Sequence, residues 1–299
     1  MRSRCAGRVS AVGAALRGRA GPLIRKHRML CANLATAFPE WSPAEVERMA
    51  RASWAQLGRV IAEFPHFAAL FDPADPRVEV VDPHRVLSAA AAGRPVILAG
   101  AHLGNWELLA AAAVQRGVPL TVVHAARANP GVESMVERHR RALGCGFLEQ
   151  GESVHAMLRQ IRQGRSIGVL VDQRYDKGEA VPFFDREAMT SVAPALLAVR
   201  FGLPFVPARC ERLQGCRFRV TYEPPLAPDP NLREPRAVAR DLTRRLNERF
   251  AAWISERPAE WLCIKRRWPA EQVVAAAPLA TALPYRHITA EPGHVRSMS

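Results

Sequence analysis

A histidine and a glutamate stand five positions apart in "VILAGAHLGNWELLAAAAVQRG", residues 96–117. His102 follows an apolar run typical of a buried strand, and Glu107 falls at the start of an alanine-rich helix. Residues five apart on one helix point about 140° away from each other, so this pair can meet only where a strand ends and a helix begins. There the glutamate can hold one ring nitrogen while the other nitrogen takes a proton from a hydroxyl group. The spacing therefore predicts His102 as a general base with Glu107 as its orienting partner.

The residues between the two support this interpretation. Gly104 permits a tight turn, and Asn105 is a suitable N-cap for the following helix. In open α/β sheets ligands bind at the carboxyl ends of the strands, where His102 is expected to lie. Amide N–H groups at the helix start can in addition stabilise an oxyanion. A lone histidine at a strand end is more often structural, but the carboxylate, the glycine turn and the helix start together favour catalysis.

Alternating strands and helices are predicted around this pair. The predicted strands are "PVILAGA", "PLTVVHA", "GFLEQ", "SIGVLVD", "PFVPARCER" and "FRVTYEPP". The helices predicted between them are "WELLAAAAVQRG", "GVESMVERHRRALG", "SVHAMLRQIRQG" and "VAPALLAVRFG". The last two strands are close enough to form a hairpin, which makes the sheet mixed. This alternation is typical of a single layered α/β domain, with a mixed, largely parallel central sheet flanked by helices.

Helical segments precede and follow the sheet region. Residues from about 8 to 71 are predicted to be helical, with Ser42 as an N-cap and Pro43 at a first helical position. Apolar residues recur there at helical spacing, which predicts a face that packs on the core or, alternatively, meets lipid; they are Met49, Trp54, Leu57, Val60, Ile61 and Phe64. A basic helix is predicted at about 234–256. We predict an N-terminal amphipathic helical region at 1–75, an α/β domain at 76–268 and a flexible tail at 269–299.

The charge of the chain restricts its partners. The formal net charge is +14 and nearly all of it comes from arginine, since the chain has three lysines. Such a surface favours an anionic partner: nucleic acid, an acidic membrane, an acidic protein or a phosphorylated substrate. The six cysteines are scattered without a C-x-x-C pair, so we expect reduced thiols and neither a disulfide framework nor a zinc site. Because no run of about 18 apolar residues occurs, the basic N-terminus is predicted to lie on an anionic membrane rather than span it.

Four ordered motifs carry a resemblance to a known family. They are "HLGNWE", "LVDQR", "VPFFDREAMTSVAPALLA" and "EWLCIKRRW". In this order they resemble the bacterial lipid A biosynthesis late acyltransferases, within the lysophospholipid acyltransferase superfamily and its H-x4-D/E motif. The similarity runs from about residue 30 to about residue 268. It implies a glycerol-3-phosphate acyltransferase-like fold and direct attack of an acceptor hydroxyl on an acyl thioester, without an acyl-enzyme. No serine or cysteine stands in a G-x-S-x-G context, which agrees with that mechanism.

The resemblance also implies substrate-binding positions. Arg127 and Asn129 match a family Arg and Asn-Pro pattern, in which Arg127 is suited to phosphate or carboxylate. Arg186 matches a family arginine suited to a sugar phosphate or the phosphopantetheine of the carrier, and Asp172 with Gln173 ends a strand at the same sheet edge. Plainer roles stay open for these residues: a solvated loop for Arg127, a turn or an N-cap for Asp172. The remaining candidates are Asn105 at the catalytic turn and Phe183 and Phe184, which either line an acyl channel or belong to the core. The sequence departs from the family pattern at Asp185, where a glycine is usual.

These observations predict an enzyme that moves a fatty acyl chain from acyl carrier protein to a hydroxyl of a lipid A-type glycolipid precursor. It is expected to need no cofactor and no metal, and to lie on the cytoplasmic face of the inner membrane as a peripheral or monotopic protein. Its expected partners are the acyl carrier protein, the glycolipid and the anionic membrane surface, but not nucleic acid. The first alternative is a phosphatidylinositol mannoside-like or lysophospholipid acceptor with acyl-CoA as donor. Two further alternatives are a hydrolase that uses the same residues and a non-catalytic basic protein that binds membrane or nucleic acid.

Overall fold

The computed structural model describes residues 2–124, 144–149 and 154–273. Within these ranges seven strands form one sheet in the order β1-β9-β8-β2-β5-β3-β4, and two more form a separate hairpin, β6-β7. Every neighbouring pair in the large sheet is parallel except β8 and β9, which are antiparallel. The strands are β1 Val78–Val81, β2 Ile97–Gly100, β3 Leu120–His124, β4 Gly146–Glu149, β5 Ser166–Leu170, β6 Glu179–Phe183, β7 Arg186–Thr190, β8 Phe205–Gln214 and β9 Arg217–Tyr222.

Helices cover both faces of the large sheet. They are α1 Arg2–Ala20, α2 Lys26–Ala37, α3 Pro43–Glu63, α4 Phe67–Leu70, α5 Val86–Ala91, α6 Glu107–Gln115, α7 Val154–Arg162, α8 Ala193–Phe201 and α9 Pro235–Glu256. Successive side chains of a strand point to opposite faces, and β2 accordingly sends Ile97 and Ala99 into one buried cluster and Leu98 into another. The first cluster includes residues of α2, α3, α8 and α9, and the second includes residues of α4, α5 and α6. The fold is thus a three-layer α/β/α arrangement, which confirms the predicted α/β class with a mixed, largely parallel sheet.

The N-terminal helices pack closely onto one another and onto the core. α3 begins with the predicted N-cap: Ser42 accepts from the Glu45 amide, and the Glu45 carboxylate accepts from the Ser42 amide. α1 crosses α3 where a Cβ at Gly58 would lie 2.1 Å from the Gly13 carbonyl oxygen, so only glycine fits at this crossing. Trp54 of the predicted apolar face is 1% exposed, whereas Ile61 is 51% exposed. The domain boundary near residue 75 stays a prediction, although α2 and α3 contribute to the same buried cluster as β2 and β5.

The hairpin β6-β7 turns on two residues that both have left-handed backbone. Phe184 has φ of 49° and Asp185 has φ of 55°. Two central residues with positive φ make a type I′ turn, whose twist suits a two-residue hairpin and which normally takes Asn-Gly. Aspartate tolerates this conformation better than phenylalanine. The hairpin keeps its turn despite the aspartate that replaces the usual glycine.

Each of the six predicted strands is present, as is the β8-β9 hairpin, whereas β1 and the β6-β7 hairpin were missed. The helices predicted from "WELLAAAAVQRG", "SVHAMLRQIRQG" and "VAPALLAVRFG" correspond to α6, α7 and α8, and the basic helix corresponds to α9. The segment "GVESMVERHRRALG" falls, apart from its final glycine, outside the described residues, as does the tail beyond residue 273. Among the described helices, none combines the length and the apolar character that crossing a membrane requires.

Candidate active site

The site lies where β2 and β5 end side by side. The two strands are parallel, with Gly100 opposite Leu170. The residues two positions further along each strand direction, His102 and Asp172, therefore reach the same sheet edge. His102 Nδ1 lies 2.7 Å from Asp172 Oδ1, a hydrogen bond between an imidazole and a carboxylate.

Asp172 is fully buried and held from two sides. Its second oxygen, Oδ2, accepts a hydrogen bond of 3.0 Å from the indole nitrogen of Trp261. Burial acts to raise the pKa of this carboxyl group, but the charge of the His102 ring and the hydrogen bonds from His102 and Trp261 outweigh burial and hold the pKa below its ordinary value. A carboxylate at Nδ1 places the ring proton on that nitrogen and leaves Nε2 with its lone pair. The geometry thus provides a base at Nε2.

The backbone around His102 is fixed by the segment that contains Trp261. The Leu262 amide donates to the His102 carbonyl oxygen at 3.0 Å, and Leu103 pairs with Trp261 in an antiparallel bridge. The ring of Trp106 lies 5.3 Å from the His102 ring, centroid to centroid. The His102 side chain remains 23% exposed, so it is accessible from solvent.

The orienting carboxylate differs from the predicted one. We predicted Glu107 in this role, but the carboxylate at His102 Nδ1 is that of Asp172. The physical reason is the strand order: β5 lies beside β2, so its end reaches the imidazole directly, while Glu107 begins α6 beyond the turn. Glu107 is 9% exposed and lines the cavity described below.

The tight turn predicted at Gly104 is confirmed, whereas the N-cap role predicted for Asn105 is wrong. Gly104 has φ of 59°, and a Cβ there would lie 2.3 Å from the Cys210 carbonyl oxygen, so the tight turn requires glycine. Asn105 is not the side-chain cap of α6, since its Nδ2 donates to Glu63 Oε2 at 2.9 Å and the cap position is occupied by Trp106. Asn105 is fully buried, which argues against the direct substrate contact that we predicted for it.

An apolar cavity opens beside the catalytic turn. It lies between α6 and the face of β2, β3 and β5, and its free volume is about 590 Å³, counting the part open to solvent. Its lining includes Gly100, Leu109, Val122, Gly168 and Leu170, with Trp106 and Glu107 from the start of α6. An apolar chain is the ligand that such a lining favours.

Four further residues were predicted as substrate-binding positions. Gln173 Nε2 donates to the Leu262 carbonyl oxygen at 3.4 Å, which ties it to the segment that supports His102. Arg186 begins β7 and is half-buried. Arg127 and Asn129 lie outside the described residues. The anion-binding and substrate-binding roles of these four residues stay predictions.

The two adjacent phenylalanines belong to an aromatic cluster. Phe183 is 1% exposed, with its ring centroid 5.7 Å from that of Trp268 and 6.0 Å from that of Trp261. Phe184 is half-buried and stacks against Trp261 at 6.2 Å. Neither side chain lines the cavity beside Glu107. The packing of Phe183 agrees with the alternative that it is a core residue. The role of lining an acyl channel stays a prediction for both phenylalanines.

One of the three consecutive cations at residues 265–267 is internal. Lys265 and Arg266 are exposed, but Arg267 is fully buried and donates to the Met189 carbonyl oxygen and to Thr190 Oγ1. Its burial lowers the guanidinium pKa to about 10. Arg267 therefore ties the C-terminal segment to β7, a role that a run of three cations in sequence does not reveal.

In the described part of the chain, one group of side chains has the residue types and the proximity of a metal site: His27, Cys31 and Glu47, whose ligand atoms lie within 4.8 Å of one another. The Trp54 indole N–H donates to His27 Nδ1 at 3.1 Å, so the neutral ring carries its proton on Nε2, which lies 2.8 Å from Glu47 Oε2. Burial, with Glu47 nearby, raises the pKa of the Cys31 thiol to about 12. A protonated thiol and a nitrogen already bearing a proton are poor ligands, so these residues fit a metal ion badly. The group is a buried hydrogen-bond cluster between α2 and α3.

Comparison with known proteins decides the family. The family model described as "Bacterial lipid A biosynthesis acyltransferase" matches residues 8–270, most of the chain. The chain belongs to this family. As a lipid A biosynthesis-type acyltransferase it is an enzyme, and the alternative of a non-catalytic basic protein is wrong.

Curated relatives of this acyltransferase carry a more specific name. A phosphatidylinositol mannoside acyltransferase of Mycolicibacterium smegmatis is 28% identical over 237 residues, which cover 77% of this chain and 74% of that protein. A phosphatidylinositol mannoside acyltransferase of Mycobacterium tuberculosis is 30% identical over 193 residues, covering 62% of this chain and 58% of that protein.

Proposed function

We propose that this acyltransferase moves a fatty acyl chain from a thioester donor to a hydroxyl group of a membrane glycolipid, with His102 as the general base. The observation that carries the proposal is the His102–Asp172 pair, 2.7 Å apart. The pair follows strands β2 and β5, which help to line the apolar cavity, and Trp106 of the lining lies 5.3 Å from the His102 ring. With an acyl chain in the cavity and the base beyond its lining strands, the thioester carbonyl lies close to the hydroxyl that is deprotonated. Such positioning converts a bimolecular reaction into an effectively intramolecular one.

The proposed reaction has two steps. His102 Nε2 takes the proton of the acceptor hydroxyl while its oxygen attacks the thioester carbonyl carbon, and Asp172 stabilises the imidazolium that forms. The tetrahedral intermediate collapses, the C–S bond breaks, and the thiolate takes the proton back from His102. The products are one ester and one thiol, and the enzyme is unchanged. The positive end of the α6 dipole, at Trp106 and Glu107, favours the negative charge that develops on the carbonyl oxygen.

The donor we propose is acyl carrier protein, with acyl-CoA as the alternative. The net charge of +14 suits docking of an acidic carrier protein. Both donors present their thioester on a phosphopantetheine arm, and Arg186 and Arg127 remain the candidates for its phosphate. No cofactor enters these steps.

Two acceptor classes have support. The family model favours a lipid A-type precursor, which is the acceptor predicted from the sequence motifs. The curated relatives favour a mannoside-type glycolipid, and this is the second candidate. Both are phosphorylated glycolipids that reside in a membrane.

We further propose that the enzyme reaches its acceptor from the surface of an anionic membrane, on the cytoplasmic face of the inner membrane. Val9, Val12 and Leu16 lie on one exposed side of α1, since positions three and four apart share a helix face. Leu23 is 87% exposed nearby in the chain. Among the side chains whose burial is described in this region, the exposed cations are Arg8, Arg19, Arg25, Lys26 and Arg28. Exposed apolar side chains beside cations can enter a membrane interface while the cations meet anionic headgroups.

Acyl transfer by purified protein tests the proposed function. Labelled acyl carrier protein and acyl-CoA are each offered with a lipid A precursor and with a phosphatidylinositol mannoside, and products are read by mass spectrometry. We expect one acylated glycolipid from the wild type, and a loss of at least about 100-fold in His102→Ala, the usual contribution of a general base. Free fatty acid without acylated lipid supports the hydrolase instead. A His102→Ala variant that keeps more than a tenth of the activity contradicts the assignment of the base.

A further inference from the structure

A buried carboxylate lies behind the catalytic turn, outside the dyad. Glu63 ends α3 and is fully buried. Arg212 of β8 donates to both of its oxygens, at 2.6 Å and 2.9 Å, in a bidentate pair. Ser10 Oγ of α1 donates to Oε1 at 2.6 Å, and Asn105 Nδ2 donates to Oε2 at 2.9 Å. The Cys216 thiol also donates to Oε1 at 3.4 Å, so five donors from three distant segments converge on one side chain.

One of these donors belongs to the catalytic turn. Asn105 stands three residues after His102 and is fully buried. A carboxylate only accepts hydrogen bonds, so the amide nitrogen of Asn105 must face Glu63. β2 ends at Gly100, so the backbone from His102 to Asn105 lies beyond the strand and its ladder. Its position depends on separate anchors.

Backbone pairing and a side-chain hydrogen bond both anchor this turn. The first is backbone pairing with the C-terminal segment, where the Gly104 amide donates to the Glu260 carbonyl oxygen at 3.1 Å. The second is the hydrogen bond from the Asn105 side chain to Glu63, which links the turn to α3 and, through Arg212, to β8. Glu63 is itself immobilised, because Arg212 also donates to Gln56 Oε1 and to the Gly215 carbonyl oxygen.

We infer that Glu63, held by Arg212 and acting through Asn105, is a positioning residue for His102. The inference rests on the proposed function, because it assigns these residues to the step in which His102 acts as base. The Glu63–Arg212 pair is more than a stabilising contact, since a hydrophobic pair would suit a buried position better on stability alone. Its charge supplies the strong acceptor that a single amide donor needs to fix the turn.

The test compares two variants that each remove one hydrogen bond from Glu63. Asn105→Ala removes the bond to the catalytic turn, and Ser10→Ala removes the bond to α1. Both full-length proteins are assayed for acyl transfer under saturating donor, after their folded fractions are matched by circular dichroism. We expect kcat to fall about 10- to 100-fold in Asn105→Ala with little change in KM, because a small misplacement of a base costs this much. We expect Ser10→Ala to keep its kcat within about twofold.

A spectroscopic measurement separates positioning from general loss of stability. With ¹⁵N-labelled histidine, the proton of His102 Nδ1 in its hydrogen bond to Asp172 gives a downfield resonance. We expect this resonance to broaden or move upfield in Asn105→Ala and to be unchanged in Ser10→Ala. If Asn105→Ala does not fold, Asn105→Ser, which removes less volume, is measured in its place.

Three results overturn the inference: unchanged kcat in the Asn105 variant, an equal fall in both variants, or an unchanged His102 resonance in the Asn105 variant. Failure of the proposed function is recognised separately, because it requires that His102→Ala retain transfer in the same assay. The two failures are therefore distinguishable.

Discussion

At the scale of single residues, the site is a dyad whose carboxylate comes from a distant part of the sequence. Glu107 stands five positions from His102 and was the obvious partner by spacing, while Asp172 stands 70 positions away. Asp172 was nevertheless among the predicted residues, because it ends a strand at the same edge. Trp261 was missed as a site residue, although it lies in a motif that we quoted. The motif "EWLCIKRRW" draws attention to this tryptophan, but a position in a motif does not reveal a contact with Asp172.

Asp172→Asn is expected to lower kcat by at least about 100-fold while the protein stays folded. An amide at this position no longer stabilises the imidazolium and can present its NH₂ group to Nδ1, which selects the wrong tautomer. Trp261→Phe, which removes the hydrogen bond to Oδ2 together with part of the aromatic packing, is the graded comparison and is expected to lower kcat less. Steady-state kinetics on all three proteins checks this order, and equal activity of Asp172→Asn and wild type contradicts the role of Asp172.

The lowered pKa of Asp172 also predicts how stability depends on pH. A carboxyl group whose folded-state pKa lies below its unfolded value of about 3.9 adds stability above that value, and this stability is lost as pH falls through the folded pKa. We expect the wild type to lose free energy of unfolding below about pH 4 more steeply than Asp172→Asn. Urea unfolding between about pH 2 and pH 6 measures both curves. Parallel curves contradict the prediction.

At the scale of secondary-structure elements, the strands and helices that were predicted are those with a recognisable pattern within their own residues. The six predicted strands are apolar runs bounded by turn residues, and α6 to α9 have clear periodicity or capping. β1 was missed because "VEVV" is short and half-buried, and β6 because Pro182 is unusual within a strand. The strand order was not predictable, since β5 is placed between β2 and β3 by packing rather than by neighbouring residues. That order is what made Asp172, rather than Glu107, the partner of His102.

The β6-β7 turn gives a prediction at this scale. Asp185→Gly is expected to raise the free energy of unfolding by about 0.5–1 kcal/mol, because glycine adopts positive φ without a steric cost. Phe184→Gly removes the same backbone strain at the neighbouring position but loses the aromatic packing against Trp261, so it is expected to destabilise the protein. Thermal and urea unfolding of both variants measures the difference. A destabilising Asp185→Gly contradicts the left-handed turn.

At the scale of the whole molecule, the N-terminal helices are integrated into the fold. Removal of residues 1–28 would separate Ser10 from Glu63 and would expose Trp54, against which Gly21 packs. Deletion is therefore a poor test of membrane binding, and point variants on the exposed side of α1 are a sharper one.

Leu16→Glu is expected to weaken binding to vesicles of phosphatidylcholine and phosphatidylglycerol by at least about tenfold. Burial of one leucine contributes about 2 kcal/mol, and about 1.4 kcal/mol corresponds to a factor of ten. Leu213→Glu makes the same change at an exposed leucine of β8 and is the matched control. Cosedimentation at two salt concentrations measures both. Equal loss in the two variants contradicts a membrane-facing role for α1.

The distances along the chain that separate the catalytic groups have a consequence for folding kinetics. His102 and Asp172 are 70 residues apart, and Asp172 and Trp261 are 89 residues apart. Contacts of such long range form late, because the chain must first lose the entropy of closing long loops. Activity should then return more slowly than helical structure when the denatured enzyme refolds, and the recovery of acyl transfer reports the last step of assembly. A partly folded chain would carry every catalytic residue and still be inactive.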